Sequence, residues 1–374
     1  MKILQIASLS LPIRPDLKYG GTERVISYLD KVFTKNGHDS YVAATGDSKI
    51  NGTLIPTIPK SLWAMNETVS ITRSIVDKSE MMDIHYKKCI DFLLENLDID
   101  VIHDHPGSGL VTAKEFRKVE NKISAPLVVT LHGAFSEKFL ERYQKYAEIS
   151  KQNKKVFFNA ISQSQKKEFE NAGIRVKDVI YHGIPLDDFS IENKKSDYLF
   201  NLGRICPDKG QHFAIDIAKK SGRRLILAGE VHSTNEDYWK EMIEPHIDGD
   251  QIKFLGSMTD EEKIPFYQKA AGFIFPLQWQ EPFGLVMIEA MACGTPIIAY
   301  SRGSVPEVVS DGKTGFVIQE TGDKEKDLES MVKAVKNLDS ISPETCRKHV
   351  EDKFSIEREA DNYINLYQGL ISHI

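Results

Sequence analysis

Short runs of uninterrupted apolar, β-rich sequence recur along this chain: LVVTL at 127–131, RLILAG at 224–229, GFIF at 272–275 and TPIIAY at 295–300. A strand with one wet face alternates apolar and polar residues. A run without alternation needs cover on both faces, which a parallel sheet flanked by helices supplies. The pattern predicts strands at Lys2–Ala7, Ser40–Ala44, Val101–His103, Pro126–Leu131, Val156–Ile161 and Asp178–Tyr181. It predicts a second set at Tyr198–Leu202, Arg224–Ala228, Lys253–Leu255, Gly272–Phe275 and Pro296–Ala299. Amphipathic stretches such as Glu23–Lys35 and Ile84–Leu97 fall between them as helices. Strand and helix in this cadence specify an α/β protein with open, doubly wound sheets.

A chain of 374 residues is too long for one core, since single cores stop growing near about 250–300 residues. The alternation is interrupted between Ile184 and Ser196 by proline and polar residues, which marks the expected hinge. The first 190 residues carry 26 Lys+Arg and 24 Asp+Glu and the remainder 22 and 30, so net charge changes from +2 to −8 across it. The expected domains are residues 1–188 and 189–355, followed by an amphipathic helix over about 356–374. Two similar sheets facing each other would leave a cleft, a common place for a ligand.

The charge balance, 48 basic against 54 acidic side chains, argues against a nucleic-acid binder. No apolar run reaches the 18 or more residues of a membrane span, and MKILQIASLSLP reads as a first strand rather than a leader. Cys89, Cys206, Cys293 and Cys346 are isolated, so neither a zinc ribbon nor a disulfide framework is expected. The reading is a reduced, cytoplasmic protein with no metal and no cofactor.

The sharpest local feature is EPFGLVMIEAMACGTPIIAY at 281–300. A helix is expected to start at Gly284 and to run to Cys293. Side chains lean toward a helix N-terminus, and Glu289 lies about 7–8 Å along the axis from the start, so Glu281 and Glu289 are expected to flank the helix mouth. Free N–H groups there suit phosphate, while carboxylates accept hydrogen bonds from sugar hydroxyls. In NLGRICPDKGQHF, Arg204 and Lys209 bracket a loop after a strand, where two cations suit a diphosphate. Gly20 and Gly21, followed by Thr22, form a glycine turn into a helix. Gly107-Ser108-Gly109 lacks the third glycine of a dinucleotide fingerprint. His103-Asp104-His105 and His132 end strands, but neighbours on a strand point to opposite faces, so the first three make a poor metal site. His132, followed by glycine, is the better candidate to face a ligand.

These residues resemble one family. The block from Glu281 through Pro296, the Gly203-Arg204 to Lys209-Gly210 spacing and the Gly20-Gly21 loop are similar to the retaining family-4 glycosyltransferases of the GT-B fold, over most of the chain. Gly303-Ser304-Val305-Pro306-Glu307 and Asp311-Gly312-Lys313-Thr314-Gly315 add to the likeness. The resemblance implies two Rossmann-like domains, with the C-terminal helix crossing back to the first. It implies that Glu281 binds donor-sugar hydroxyls and that the backbone of Phe283, Gly284 and Leu285 holds sugar and phosphate. Glu289 would grip the ribose, while Arg204, Lys209 and Gly21 would hold the diphosphate. His132 would contact the transferred sugar, and His105 and Thr22 the acceptor. His182-Gly183-Ile184-Pro185 departs from the usual Asn-Gly-Val-Asp, and Gly229-Glu230-Val231 from the usual Gly-Asp/Glu-Gly.

The implied reaction is transfer of a hexosyl unit, with retention, from a nucleoside-diphosphate sugar, UDP-linked by expectation, to a hydroxyl of a glycan, lipid or small molecule. Two alternatives stay open at this point: a sugar-nucleotide epimerase of the same fold, and a silent nucleotide-sugar-binding protein. The stretch Glu137–Lys155, with Lys138, Arg142, Lys145, Lys151, Lys154 and Lys155, also fits a basic helix in peripheral contact with an anionic membrane.

Overall fold

The structure is a computed structural model that describes residues 1–14, 16–17, 20–68, 78–105 and 109–373. Gly107 and Ser108 lie outside the described residues. The chain divides into two compact units. One holds the N-terminal strand, Gly20–Tyr181 and the C-terminal helix, and the other His182–Ser355.

The first unit is built on seven strands: β1 (Lys2–Ile6), β2 (Asp39–Ala44), β3 (Thr53–Pro56), β4 (Val101–Asp104), β5 (Leu127–Leu131), β6 (Val156–Ala160) and β7 (Val176–Val179). They lie in the order β3-β2-β1-β4-β5-β6-β7, all parallel. The second unit has six: β8 (Tyr198–Leu202), β9 (Arg224–Ala228), β10 (Ile252–Phe254), β11 (Gly272–Phe275), β12 (Ile297–Tyr300) and β13 (Gly315–Ile318). Their order is β10-β9-β8-β11-β12-β13, again all parallel.

Each sheet starts in its middle, winds to one edge and then winds out to the other. The loops after the two central strands therefore diverge and leave a crevice at the strands' carboxyl ends, where open α/β sheets bind ligands. In the first unit this switch point falls between β1 and β4, and in the second between β8 and β11. The central runs are buried throughout, as LVVTL of β5, GFIF of β11 and IIAY of β12 show. Each sheet carries its own core, Leu127, Val129, Phe158 and Phe169 among others in one, Leu225, Leu227, Ile274 and Ile298 in the other.

The departures from expectation lie at edges. Strands β3 and β13 were not predicted, because an edge strand is short and partly wet and so lacks a continuous apolar run. Strand β7 begins two residues earlier than predicted; the ladder pairs Val176 with Phe158 through a register shift, and the apolar Ile180 and Tyr181 lie past its end. The second unit begins at His182 rather than 189, since Ile184 N–H donates to Phe354 O at 3.0 Å and bridges to Ser355. The final helix, Ile356–Ile371, packs on Gly21–Lys35 in the first unit. No helix among the described residues is long and apolar enough to cross a membrane.

One buried group gives the first unit an acid limit. His85, on the helix Lys78–Glu95, is fully buried with Nδ1 2.7 Å from Thr57 Oγ1, and burial lowers its pKa to about 4. Between pH 6.5 and 4 the unfolded chain accepts a proton that the folded chain refuses, so stability falls as pH falls. At about 1.4 kcal/mol per unit, the loss across that window is about 3 kcal/mol. His85→Gln is expected to flatten this limb, which denaturant midpoints measured at several pH values between 4 and 7 will show.

Candidate functional site

In the second unit the loop after β8 meets the loop after β11 at the switch point. Lys209 closes the first of them in a 3-10 turn, Pro207–Lys209, ahead of the helix Gln211–Ser221. The loop is fixed from both ends: Gln211 Nε2 donates to Arg204 O at 2.9 Å, and Gln278 N–H donates to Asp208 O at 2.8 Å. Arg204 and Lys209 are both half-buried.

Lys209 Nζ lies 2.5 Å from Glu281 Oε2. Trp279 Nε1 donates to the same oxygen at 2.9 Å, and the ammonium stands 4.6 Å from the centroid of the indole. A lysine and a glutamate 72 residues apart thus form a largely desolvated ion pair backed by an aromatic face. Such a pair is held ready for exchange: a ligand anion can take the ammonium while hydroxyl donors take the carboxylate.

Glu281 is held by its backbone. Ser304 N–H donates to Glu281 O at 2.9 Å, and Ser304 Oγ donates to Phe283 O at 2.7 Å. Gly303 sits at φ 58, and a Cβ there would lie 2.3 Å from Glu281 O, so this close approach requires glycine. The Gly303-Ser304 turn is therefore a clamp on the glutamate loop. Three residues on, Gly284 at φ 84 caps the helix Leu285–Ala292 without a side chain, and the helix start at Gly284 and Leu285 is partly exposed. Phe283 is buried and packs edge-on against His182, ring centroids 5.2 Å apart. Lys209, Glu281 and the helix start thus share one loop system.

Glu289 departs from expectation. It does not flank the mouth of its helix as an open carboxylate: it is fully buried, with Oε1 2.9 Å from Lys263 Nζ and Oε2 accepting from Tyr267 OH at 2.9 Å. Both partners sit one turn apart on the helix Asp260–Lys269, and Lys263 also reaches Asp260 Oδ1 at 2.6 Å. The lean of a side chain along its own helix does not fix its partners; here Lys263 and Tyr267 of the neighbouring helix do. Trp279, Lys263 and Tyr267 carry no motif signal in the sequence, and Ser304 enters it only as part of the Gly303–Glu307 motif, without its role on the Glu281 loop. The signal for Lys263 is its place one turn before Tyr267, on the same helix face.

In the first unit Gly20 caps the helix Gly21–Lys35 and Thr22 is half-buried in its first turn. Glu23 follows; its carboxylate accepts from Ser8 Oγ at 2.8 Å, and burial raises its pKa. His103 and His105 share a face and stack, centroids 3.8 Å apart, while Asp104 on the other face accepts from Leu110 N–H at 3.2 Å. His132 is half-buried, its Nε2 3.1 Å from His105 Nδ1. His105 itself is buried with its other nitrogen on Gln5, so it supports His132 from within rather than presenting to an acceptor. The basic helix runs Leu140–Gln152, which leaves Lys154 and Lys155 beyond its end; Lys155 Nζ binds Ile123 O at 3.0 Å.

Residues 19–188 match the family described as Glycosyltransferase Family 4, and residues 185–351 that described as Glycosyl transferases group 1. An uncharacterized glycosyltransferase of Methanocaldococcus jannaschii is 30% identical over 251 residues, 63% of this chain and 67% of that protein. The chain belongs to the family-4 GT-B glycosyltransferases. This glycosyltransferase shares its fold with sucrose-phosphate synthase from Thermosynechococcus elongatus, at TM-score 0.77 and 17% identity over 100% of this chain and 99% of that one. It also shares it with Anabaena HepE, solved in complex with UDP, at TM-score 0.73 and 19% identity over 99% of this chain and 100% of that one. Among curated relatives, the matched stretch spans 57% of a Klebsiella pneumoniae protein from a cps region and 67% of the Methanocaldococcus protein.

Proposed function

We propose that this glycosyltransferase moves a hexosyl unit, with retention, from a nucleoside-diphosphate sugar to a hydroxyl of a glycan, lipid-linked or small-molecule acceptor, and that UDP is the carrier. The observation that carries the reading is the Lys209–Glu281 pair beside the start of the helix Leu285–Ala292. A pre-formed cation, a carboxylate and a row of helix N–H groups match the three parts of a sugar diphosphate. The UDP complex of HepE, a protein of the same fold, supports the choice of nucleotide.

In this reading the bond from the anomeric carbon to the β-phosphate oxygen breaks, and the acceptor oxygen bonds to the same carbon from the same face. The acceptor's proton passes to the departing phosphate oxygen, so the products are a glycoside and a nucleoside diphosphate. Lys209 and Arg204, with the N–H groups of Phe283, Gly284 and Leu285, oppose the charge that grows on the leaving diphosphate. Glu281, freed from Lys209, accepts from sugar hydroxyls. Glu289, held by Lys263 and Tyr267, reaches the ribose by exchanging one of these partners. His132 contacts the transferred sugar, and the helix start at Gly20, Gly21 and Thr22 contributes N–H groups to the donor.

A thermal-shift panel of UDP-, GDP- and ADP-sugars tests this. A UDP-sugar at about 100 times its Kd adds about 2.7 kcal/mol and raises Tm, and UDP release then depends on an added acceptor. If no nucleotide raises Tm, the donor site is misassigned. Donor turnover that needs no acceptor refutes transfer.

A further inference from the structure

A row of polar side chains lies buried on one face of the first sheet. Gln5, His103, His105, Thr130 and Asn159 occupy positions in or next to the four neighbouring strands β1, β4, β5 and β6, and all are essentially inaccessible. Buried polar groups persist where every donor finds an acceptor, so the direction of each bond can be followed from a fixed end.

The fixed end is Asp30, on the helix Gly21–Lys35. Its buried carboxylate takes N–H bonds from Asn51 at 2.6 Å and Gly52 at 3.1 Å, and it offers acceptors alone. Ser40 Oγ, 2.7 Å from Asp30 Oδ1, must therefore donate its hydrogen there. That commits the Ser40 oxygen to accepting from Gln5, whose Nε2 lies 3.4 Å away, and fixes which way the Gln5 amide faces. The other end of the amide, Oε1, is then an acceptor, 3.1 Å from His105 Nε2. His105 carries its proton on Nε2, which leaves Nδ1 as its acceptor, 3.1 Å from His132 Nε2. His132 donates from Nε2, and in the neutral ring Nδ1 is the acceptor nitrogen. The rings of His103, His105 and His132 are stacked in series, which holds the planes as well as the protons.

We propose that Gln5 and His105 are positioning residues of the transfer reaction: the chain from Asp30 through Ser40, Gln5 and His105 pins His132 in the tautomer that accepts a hydrogen bond at Nδ1. This rests on the reading that His132 contacts the transferred sugar. A histidine in this tautomer takes a hydrogen from a sugar hydroxyl and leaves that oxygen's lone pairs for other donors, whereas the opposite tautomer would donate to the oxygen and reverse the direction of the bond. A ring free to exchange tautomers would be correct for part of the time. The sheet supplies this preference through a carboxylate four residues removed along the chain of bonds.

The test is nitrogen NMR on the 15N-histidine-labelled protein at a pH where imidazoles are neutral, with the His132 signal identified by its loss in His132→Gln. The wild type is expected to show one His132 tautomer, protonated on Nε2. In Gln5→Leu the His132 nitrogens are expected to move toward values averaged over both tautomers, and kcat to fall about tenfold, the weight of about one neutral hydrogen bond. Should Gln5→Leu fail to fold, Ser40→Ala removes the same direction cue without touching the sheet's core strand. A wild-type His132 protonated on Nδ1, or a tautomer unchanged in both variants, overturns the relay. A lost tautomer preference with unchanged kcat, in a protein whose His132→Ala variant is impaired, overturns the positioning role. An unimpaired His132→Ala variant instead removes the reading of His132 on which the proposal stands.

Discussion

Lys209→Ala is expected to lower kcat about 10²–10³-fold while leaving the chain folded. The magnitude is that of deleting one preorganised donor aimed at charge which grows in the transition state. In the free protein the Lys209 ammonium lies against Glu281 and the faces of Trp279 and Phe275, so it is already largely stripped of water before a donor arrives. Its interaction with a diphosphate is correspondingly strong, because little solvent remains to be reorganised. Removing it leaves Glu281 with the Trp279 Nε1 hydrogen bond and the Gly303-Ser304 backbone clamp, so the loop keeps its shape. The measurement is steady-state transfer from the UDP-sugar chosen by the thermal-shift panel, with circular dichroism as the control for folding. Turnover within twofold of wild type would show that the diphosphate is neutralised elsewhere and would overturn the assignment of this lysine.

What the sequence made legible follows from how each feature is encoded. Central strands such as β5, β11 and β12 announce themselves because burial on both faces demands unbroken apolar runs. The edge strands β3 and β13 carry no such demand and so leave no unbroken apolar run in the sequence. The helix at 285–292 was visible from Gly284 and Gly294 at its two ends, both of which adopt positive φ. The pairing of Lys209 with Glu281 was not visible, although both residues were singled out, because 72 residues of chain separate them and no local pattern encodes which loops converge. Topology does that: β8 and β11 are neighbours at the switch point, so their loops meet. The fate of Glu289 was illegible for a related reason. Periodicity places it on a helix face, but the chemistry that waits there belongs to another helix.

Lys263→Met is expected to destabilise the second unit by about 3–5 kcal/mol, the cost of stranding a buried carboxylate without its cation. Lys263 and Glu289 have side chains 3% and 1% exposed, so water cannot replace the lost ammonium. Over a unit of this size the loss corresponds to a Tm lower by about 10 °C. Glu289→Gln is expected to cost less, because Lys263 keeps Asp260 at 2.6 Å, and the Asp260 side chain is 24% exposed and in reach of solvent. The asymmetry is the informative part. If the ion pair served stability alone, the double variant Lys263→Met with Glu289→Gln would recover most of the loss and bind UDP as the wild type does, since an apolar and an amide side chain can share a site that a lone charge cannot. If Glu289 also exchanges Lys263 for the ribose, as the proposed function requires, the double variant recovers stability but binds UDP more weakly. Denaturant titration combined with calorimetry of UDP binding on the three variants separates the two. Full recovery of both quantities would confine Glu289 to a structural role and leave Glu281 as the carboxylate that meets the donor.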